Sequence, residues 1–230
     1  MTARDEILSK VKQALGNRNA AHSAGLSDDI APAPPIAPLS EQQRDALVEQ
    51  FAAALARVDG GFSVAASAQE VGEQIAGIAA QVKSRKAVGW YSPWFEQLGL
   101  TSRLAEMGIE FITDRERPDK AAFINEAAEA GLGITAVDYA LADSGTLCLL
   151  AAENQPRTAS LLPPLHIALL QRAQMIRGLD DLFARLPVGS DLSSAVTLIT
   201  GPSRTADIEL TLVVGVHGPQ QLHVILADWS

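Results

Sequence analysis

"FSVAASAQEVGEQIAGIAAQVKSRKAVGW", Phe62 to Trp90, decides the fold class. FSVAA is a short apolar run with strand character, and KAVGW is a second. Between them, SAQEVGEQIAGIAAQV carries apolar residues at helical spacing, with Ser67 as its N-cap and Glu70 in the capping-box position. Strand, helix and strand in this order make one unit of a parallel sheet.

The rhythm extends in both directions. Upstream, Ser40 caps the long amphipathic helix SEQQRDALVEQFAAALARV. Downstream, Pro93 opens PWFEQLGLTSRLAEMG as a helix, IEFIT follows as a strand, and PDKAAFINEAAEAG as a third helix. Past Gly131 the alternation breaks. VDYALADSGTLCLLAA reads as two strands meeting at the Asp143-Ser144-Gly145 turn, because Asp and Gly favour hairpin turns. RTASLLPPLHIALLQ gives more apolar strand material around Pro163 and Pro164, GLDDLFARLP a short helix, and AVTLIT and LHVILAD two further strands. The expected fold is α/β: a Rossmann-like, mainly parallel sheet, covered on both faces, carrying an antiparallel insertion.

The first forty residues differ in kind. Ile7, Leu8, Val11, Ala14 and Leu15 line one face of a helix predicted from Arg4 to Leu15, and Gly16 stops it. The proline- and alanine-rich stretch from Asn17 to Leu39 has little to bury and reads as a tether. The expected organisation is a helix over 1–16, a tether over 17–39 and one α/β domain over 40–230. The first helix docks either on its own domain or on another chain.

Composition excludes several classes. The 230 residues are 47% hydrophobic and 20% charged, a globular balance, and no apolar run approaches the length of a membrane span. The acids and helical spacing of the N-terminus argue against a signal peptide, so a cytoplasmic location is expected. A net charge of -9 argues against nucleic acid, whose phosphates need a basic footprint. The one cysteine, Cys148, lies in TLCLLA and reads as a buried structural thiol. Alone it supplies neither a disulfide nor the ligand set of an iron–sulfur cluster. Five lysines all lie at or before Lys120. Beyond it the cations are Arg157, Arg172, Arg177, Arg185 and Arg204.

Ligands of open α/β sheets collect beyond the carboxyl ends of strands. Two polar knots are candidates for that place. One is the turn Asp143, Ser144, Gly145, Thr146; the other is TGPSRTADIE, Thr200 to Glu209, with Gly201, Ser203, Arg204, Thr205 and Asp207 as candidate ligand contacts. Ser203 or Thr205 can cap a following helix, whose free N–H groups favour an anion, and Arg204 adds a fork for a carboxylate or phosphate. Alternatively Ser203 only caps, and Arg204 pairs with Asp207 or Glu209. On a strand Asp207 and Glu209 point to the same side; on a helix at most one faces a crevice. The spacing of Ala206, Leu210 and Val213 favours a short helix first.

Acid–base candidates are Asp143, Glu209 and His217, the last in the glycine-flanked loop GVHGP. His217 equally suits a backbone-bonded turn. His166 can approach the same crevice, and His223 beside the strand VIL reads as structural. The phosphate-loop and dinucleotide glycine motifs, H-E-x-x-H and paired C-x-x-C are absent, and no metal site is expected.

The segments GITAVDYALADSGTLCLL, SLLPPLHIALL and ITGPSRTADIELTLVVGVHGPQQLHVILAD resemble the LUD (lactate utilization) domain family, over about Phe62 to Asp228. The N-terminal helix and tether also fit the family's small, single-domain branch. In this chain Asp143 and Ser144 stand where the family more often has Glu and Thr, which shortens the carboxylate by one methylene. The resemblance implies the fold of sugar-phosphate isomerases, CoA transferases and 5-formyltetrahydrofolate cyclo-ligase. It also implies a part in oxidising L-lactate to pyruvate beside iron–sulfur partner proteins that carry the redox centres. It transfers no catalytic residue. Three readings follow: an accessory subunit of such a system, binding a small carboxylate; a stand-alone enzyme of the isomerase, CoA-transferase or cyclo-ligase type on a small anionic metabolite; or a pure interaction module.

Overall fold

The computed structural model describes residues 4, 6–10, 12–13, 38–116, 119–152, 155–186, 193–206, 212–215 and 217–229, with backbone alone at 205–206 and 212–214. The chain divides into two units, Met1–Pro35 and Ile36–Ser230. In the first, residues 4, 6–10 and 12–13 are helical, with Ile7 and Leu8 exposed and Lys10 paired to Glu6 at 2.9 Å.

The second unit opens with helix α1 (Glu41–Ala56). Ser40 caps it as expected, and the cap is reciprocal. Its hydroxyl accepts the Gln43 N–H while the Gln43 amide oxygen accepts the Ser40 N–H. Strand β1 (Gly61–Ala65), helix α2 (Ala68–Gln81) and strand β2 (Lys86–Gly89) then realise the unit that decided the fold class. The region from Pro93 is two helices, not one: α3 (Pro93–Gln97) and α4 (Leu100–Glu106). Gly99 between them adopts φ +60, a left-handed conformation that ends the first helix. Strand β3 (Glu110–Thr113) and helix α5 (Lys120–Glu129) follow as expected.

Strand β4 (Leu132–Ala136) was not signalled by the sequence. Gly133 in its middle lets backbone pass over it: a side chain there would come within 1.9 Å of the Ala159 carbonyl oxygen. Strands β5 (Tyr139–Leu141) and β6 (Thr146–Leu150) form the expected hairpin. The segment before the two prolines is helical, α6 (Thr158–Leu161), and only the part after them is strand, β7 (Leu165–Gln171). Then come β8 (Met175–Ile176), α7 (Leu179–Phe183), β9 (Val196–Ile199), β10 (Arg204–Ala206), β11 (Leu212–Val214) and β12 (Gln221–Ala227). The start of the short helix expected from Ala206 is overturned, while residues 207–211, its body, lie outside the described residues. Arg204–Ala206 pairs antiparallel with Leu212–Val214, because the β-branched valines at the segment's end favour a ladder over a helix.

The main sheet has six strands in the order β1-β12-β7-β4-β2-β3, and each pairing is parallel. A four-stranded sheet, β8-β5-β6-β9, is inserted with mixed direction. This is a Rossmann-like α/β fold with an antiparallel insertion. Both faces of the main sheet are covered, so its central strand β7 is largely apolar, with buried His166 as the polar exception before Gln171. Ala168 and Leu170 pack under α1, α5, α6 and the second sheet; Leu165, Ile167 and Leu169 pack under α2, α3 and α4.

Candidate functional site

The two polar loops do converge. Thr146, which starts β6, and Thr200, which follows β9, hold their side-chain oxygens 2.8 Å apart. Gly145 packs against the backbone of Leu55, and Gly201 against Val58. Both loops thus close on the carboxyl end of α1. The Ser203 N–H donates to the Pro219 carbonyl at 2.9 Å, and the Gly215 N–H to the Ser203 carbonyl at 2.9 Å. Arg204 donates to the Val58 carbonyl at 3.0 Å and pairs with Asp59. Ser144 and His217 are exposed. The Thr205 side chain, Asp207 and Glu209 lie outside the described residues.

Their position corrects one expectation. Pro219 and Gln220 immediately precede β12, and Gln220 and Gln221 both donate to the carbonyl of Pro164, just before β7. The Ser203 loop therefore sits at the amino ends of the main-sheet strands. The loops do follow the carboxyl ends of β5 and β9, but those strands belong to the inserted sheet. Where Ser203 or Thr205 was expected to cap a helix, Arg204–Ala206 is strand instead and pairs antiparallel with Leu212–Val214.

Asp143 faces elsewhere, into a cavity of about 590 Å³ between α1 and the turn into α7. Gln43, Leu47 and Gln50 line it from α1; Arg177, Gly178 and Leu179 line it from the turn. The carboxylate lies over the Gly178 backbone, where a side chain would meet its oxygen at 2.3 Å. The Asp143 N–H donates to the Arg177 carbonyl at 3.0 Å, which fixes the two residues together. Arg177 reaches Asp181 only at 3.5 Å, with its side chain 47% exposed, so its guanidinium keeps donors to spend. Among the described residues nothing donates to the Asp143 carboxylate. A solvent-exposed carboxylate with no donor among those residues and an under-used guanidinium thus share one cavity with apolar Leu47 and Leu179.

A second cavity, of about 670 Å³, lies over the carboxyl ends of β7 and β12. Arg172 and Asp228 directly follow those strands, and parallel register pairs Gln171 with Ala227. Arg172 Nε donates to Asp228 Oδ1 at 2.6 Å, its Nη2 to Oδ2, and its Nη1 to Asp45 of α1. The hydrogen bonds to Asp228 and Asp45 raise the Arg172 pKa further, and the same contact holds the Asp228 carboxyl below its ordinary range. Trp94 and Trp229 complete the wall. Sequence reading missed Arg172 and Asp228 as a pair. The available signal was an Arg after LHIALLQ and an Asp after QLHVILA, opposite charges at the carboxyl ends of two apolar strands.

His166 and Cys148 are buried and His223 is half-buried. His166 is buried, and burial pushes its pKa down to about 4. Its Nε2 meets Thr135 Oγ1 at 2.8 Å, while its Nδ1 has no partner among the described residues. His166 therefore belongs to the core under α6, not to either cavity. His223 meets Ser63 Oγ at 2.9 Å, and Ser63 meets the Gln74 amide oxygen at 2.6 Å. Gln74 Nε2 donates to the Val64 carbonyl, so its oxygen must accept from Ser63, and His223 donates from Nε2. That serine holds no proton toward the histidine, and the pair is structural. Cys148 is buried with its thiol pushed up to about 11, first by burial and then by the nearby Asp138 charge. Among the described residues no group of three or more His, Cys, Asp or Glu is placed to hold a metal ion, and no helix is long and apolar enough to cross a membrane.

Comparison with known proteins adds sequence kinship. The family model of the LUD domain matches residues 48–227. The chain is 29% identical to lactate utilization protein C of Halalkalibacterium halodurans, over 98% of each chain. It is 32% identical to lactate utilization protein C of a Geobacillus species, over 80% of each. A crystal structure of a DUF162 family protein from Deinococcus radiodurans superposes with a TM-score of 0.57, covering 83% of this chain and 100% of that one, at 22% identity.

Proposed function

The chain belongs to the LUD domain family, and on that premise we propose that it is a non-redox subunit of a system oxidising L-lactate to pyruvate. The observation that carries this reading is kinship along nearly the whole chain with proteins named for lactate utilization. Iron–sulfur partner proteins carry the electrons in this reading, since one buried thiol gives this chain no cluster ligands. The reaction removes two electrons and two protons from lactate, so an acceptor must sit in a neighbouring chain.

The ligand of this subunit is a small 2-hydroxy carboxylate, held in the cavity beside Asp143. Arg177 takes the carboxylate in its fork. Asp143 accepts the hydroxyl proton's hydrogen bond, and Leu47 and Leu179 receive the methyl group. Gly145, Thr146, Gly201, Ser203 and Arg204 then act by holding the Asp143 turn in place, through the Thr146–Thr200 bond, the packing on α1 and the contacts of Ser203 and Arg204.

Deleting the gene should abolish growth on L-lactate, and wild-type protein should restore it. Asp143→Asn and Arg177→Ala, each folded by circular dichroism, should not. Unimpaired growth of the deletion strain, with no paralogue to compensate, overturns the reading. Co-purification with iron–sulfur proteins tests the partner assignment separately.

The unpaired Asp143 carboxylate also favours a second reading, a stand-alone enzyme in which it is the acid–base group. Turnover of a small anionic metabolite by the purified protein, lost in Asp143→Asn, decides for that reading.

A further inference from the structure

We propose that the cavity at the carboxyl ends of β7 and β12 is a binding site for an uncharged or cationic planar heteroaromatic ring of nucleobase size. The inference is independent of the lactate reading, which concerns the other side of α1.

Position is the first argument. Open parallel sheets bind ligands in the crevice beyond their strand carboxyl ends, and this cavity occupies that place. It spans from Trp229 after β12, past Arg172 after β7, to Trp94 in the helix that follows β2. The polar loops that the sequence singled out lie at the other end of the sheet, so they do not compete for it.

Charge selects the ligand class. Two arginines, Arg44 and Arg172, line the cavity against three carboxylates, Glu41, Asp45 and Asp228. Arg172 has spent Nε and both terminal nitrogens on Asp228 and Asp45. Arg44 stands 3.9 Å from Glu41. A phosphate or carboxylate entering here meets three carboxylates against two arginines, and one of those arginines is already clamped between two of the acids. An anion is therefore disfavoured.

What the cavity does offer is flat surface. Trp229 is 40% exposed, although an indole is among the costliest side chains to leave in water. Trp94 lines the same cavity from the first turn of α3. The guanidinium of Arg172 is held in one plane by its two carboxylates, and a fixed guanidinium stacks on aromatic rings. Two indoles and a clamped guanidinium suit the face of a planar ring. The acidic rim suits the ring's N–H donors or a delocalised positive charge.

The test uses the full chain, with adenosine and N-methylnicotinamide as uncharged and cationic probes. Binding is read by calorimetry and by ligand-observed saturation-transfer NMR, neither of which needs a tryptophan signal. At least one probe should bind saturably. Trp229→Ala, at an exposed position, and Trp94→Ala, at the edge of the core beneath α2 to α4 and checked as folded by circular dichroism, should each weaken it by roughly five- to a hundredfold. Neither inorganic phosphate nor L-lactate should displace it. No saturable binding of either probe, binding unchanged in both variants, or displacement by phosphate each overturns the proposal. A growth defect on lactate, or its absence, bears on the lactate reading and leaves this result untouched.

Discussion

Thr146 and Thr200, 54 residues apart in the chain, hold their side-chain oxygens 2.8 Å apart where the β6–β9 ladder ends. The register explains the meeting: Leu147 pairs with Ile199, so the next residues outward face each other. Thr146 is buried, and Thr200 reaches solvent. Thr146→Val keeps the shape and removes the bond, at a cost of about 1 kcal/mol. Urea melts of both single valine variants and the double variant should show a coupling of about 0.5–1 kcal/mol. Strict additivity would mean that the pair does not tie the two loops together.

Gly145 should tolerate no side chain. Its φ is +66, and an added Cβ would stand 2.5 Å from the Leu55 nitrogen, which is helix backbone and cannot swing away. Gly145→Ala combines a left-handed penalty of about 1–2 kcal/mol with an overpacking cost of about 1–3 kcal/mol. The expected loss is therefore on the order of 3 kcal/mol. Ser144→Ala, one residue earlier and exposed, should change stability by less than about 0.5 kcal/mol in the same melts.

The contrast between those neighbours marks what a sequence discloses. Periodicity and caps reported the helices well, since they depend on residues close in the chain. Even there Glu70 reaches one residue further than the capping-box rule expects, accepting from Ala66 at 2.8 Å. β4 escaped notice because Gly131 and Gly133 dilute its pattern, and the reason for Gly133 is the backbone of α6 passing over it. Ala206, expected to open a helix, is strand instead because pairing with Leu212–Val214 outweighs local spacing. Asp143 was legible as a polar turn residue, but its cavity partner Arg177 was not, because it arrives from α7's approach. The Arg172–Asp228 pair depends on β7 lying beside β12, and strand order is a non-local property that one chain's spacing does not encode.

Cys148 should behave as an inert thiol. With its pKa pushed up to about 11 and its side chain buried, little thiolate is present near neutrality and none is reachable. A disulfide reagent at pH 8 should label the folded protein at least about a hundredfold more slowly than the urea-unfolded chain. Rapid labelling of the folded chain would show that the second sheet opens readily.

Acid should weaken the fold through His166 before it reaches the carboxylates. The folded pKa is about 4 against an ordinary 6.5, so the unfolded chain binds more protons between those values. Stability is full above the upper value and falls as pH drops through the window, by at most about 1.4 kcal/mol per pH unit. His223, also lowered by burial, adds in the same direction. Asp138, raised by burial, opposes it from its ordinary 3.8 upward. In urea melts at several pH values, His166→Gln should flatten the slope between pH 6.5 and pH 4 whatever its absolute stability. An unchanged slope would place the titration elsewhere.

The Arg172–Asp228 clasp should titrate lower and in its own way. Its side chains are 26% and 28% exposed, so water screens the pair only in part. At pH 7, Asp228→Asn should cost about 1–2 kcal/mol, since it removes a charge-assisted fork between the ends of β7 and β12. The Asp228 pKa is lowered in the folded chain, so the contribution is present above the ordinary 3.8 and is lost as pH falls below it. The gap between wild type and Asp228→Asn should therefore hold steady from pH 7 to pH 5 and close toward pH 3. Arg172→Met strands Asp228 and Asp45 together, and should cost more than Asp228→Asn at pH 7 and less as both carboxylates protonate. If the two variants instead follow parallel curves across that range, the clasp holds the strands by packing alone and its charges are idle.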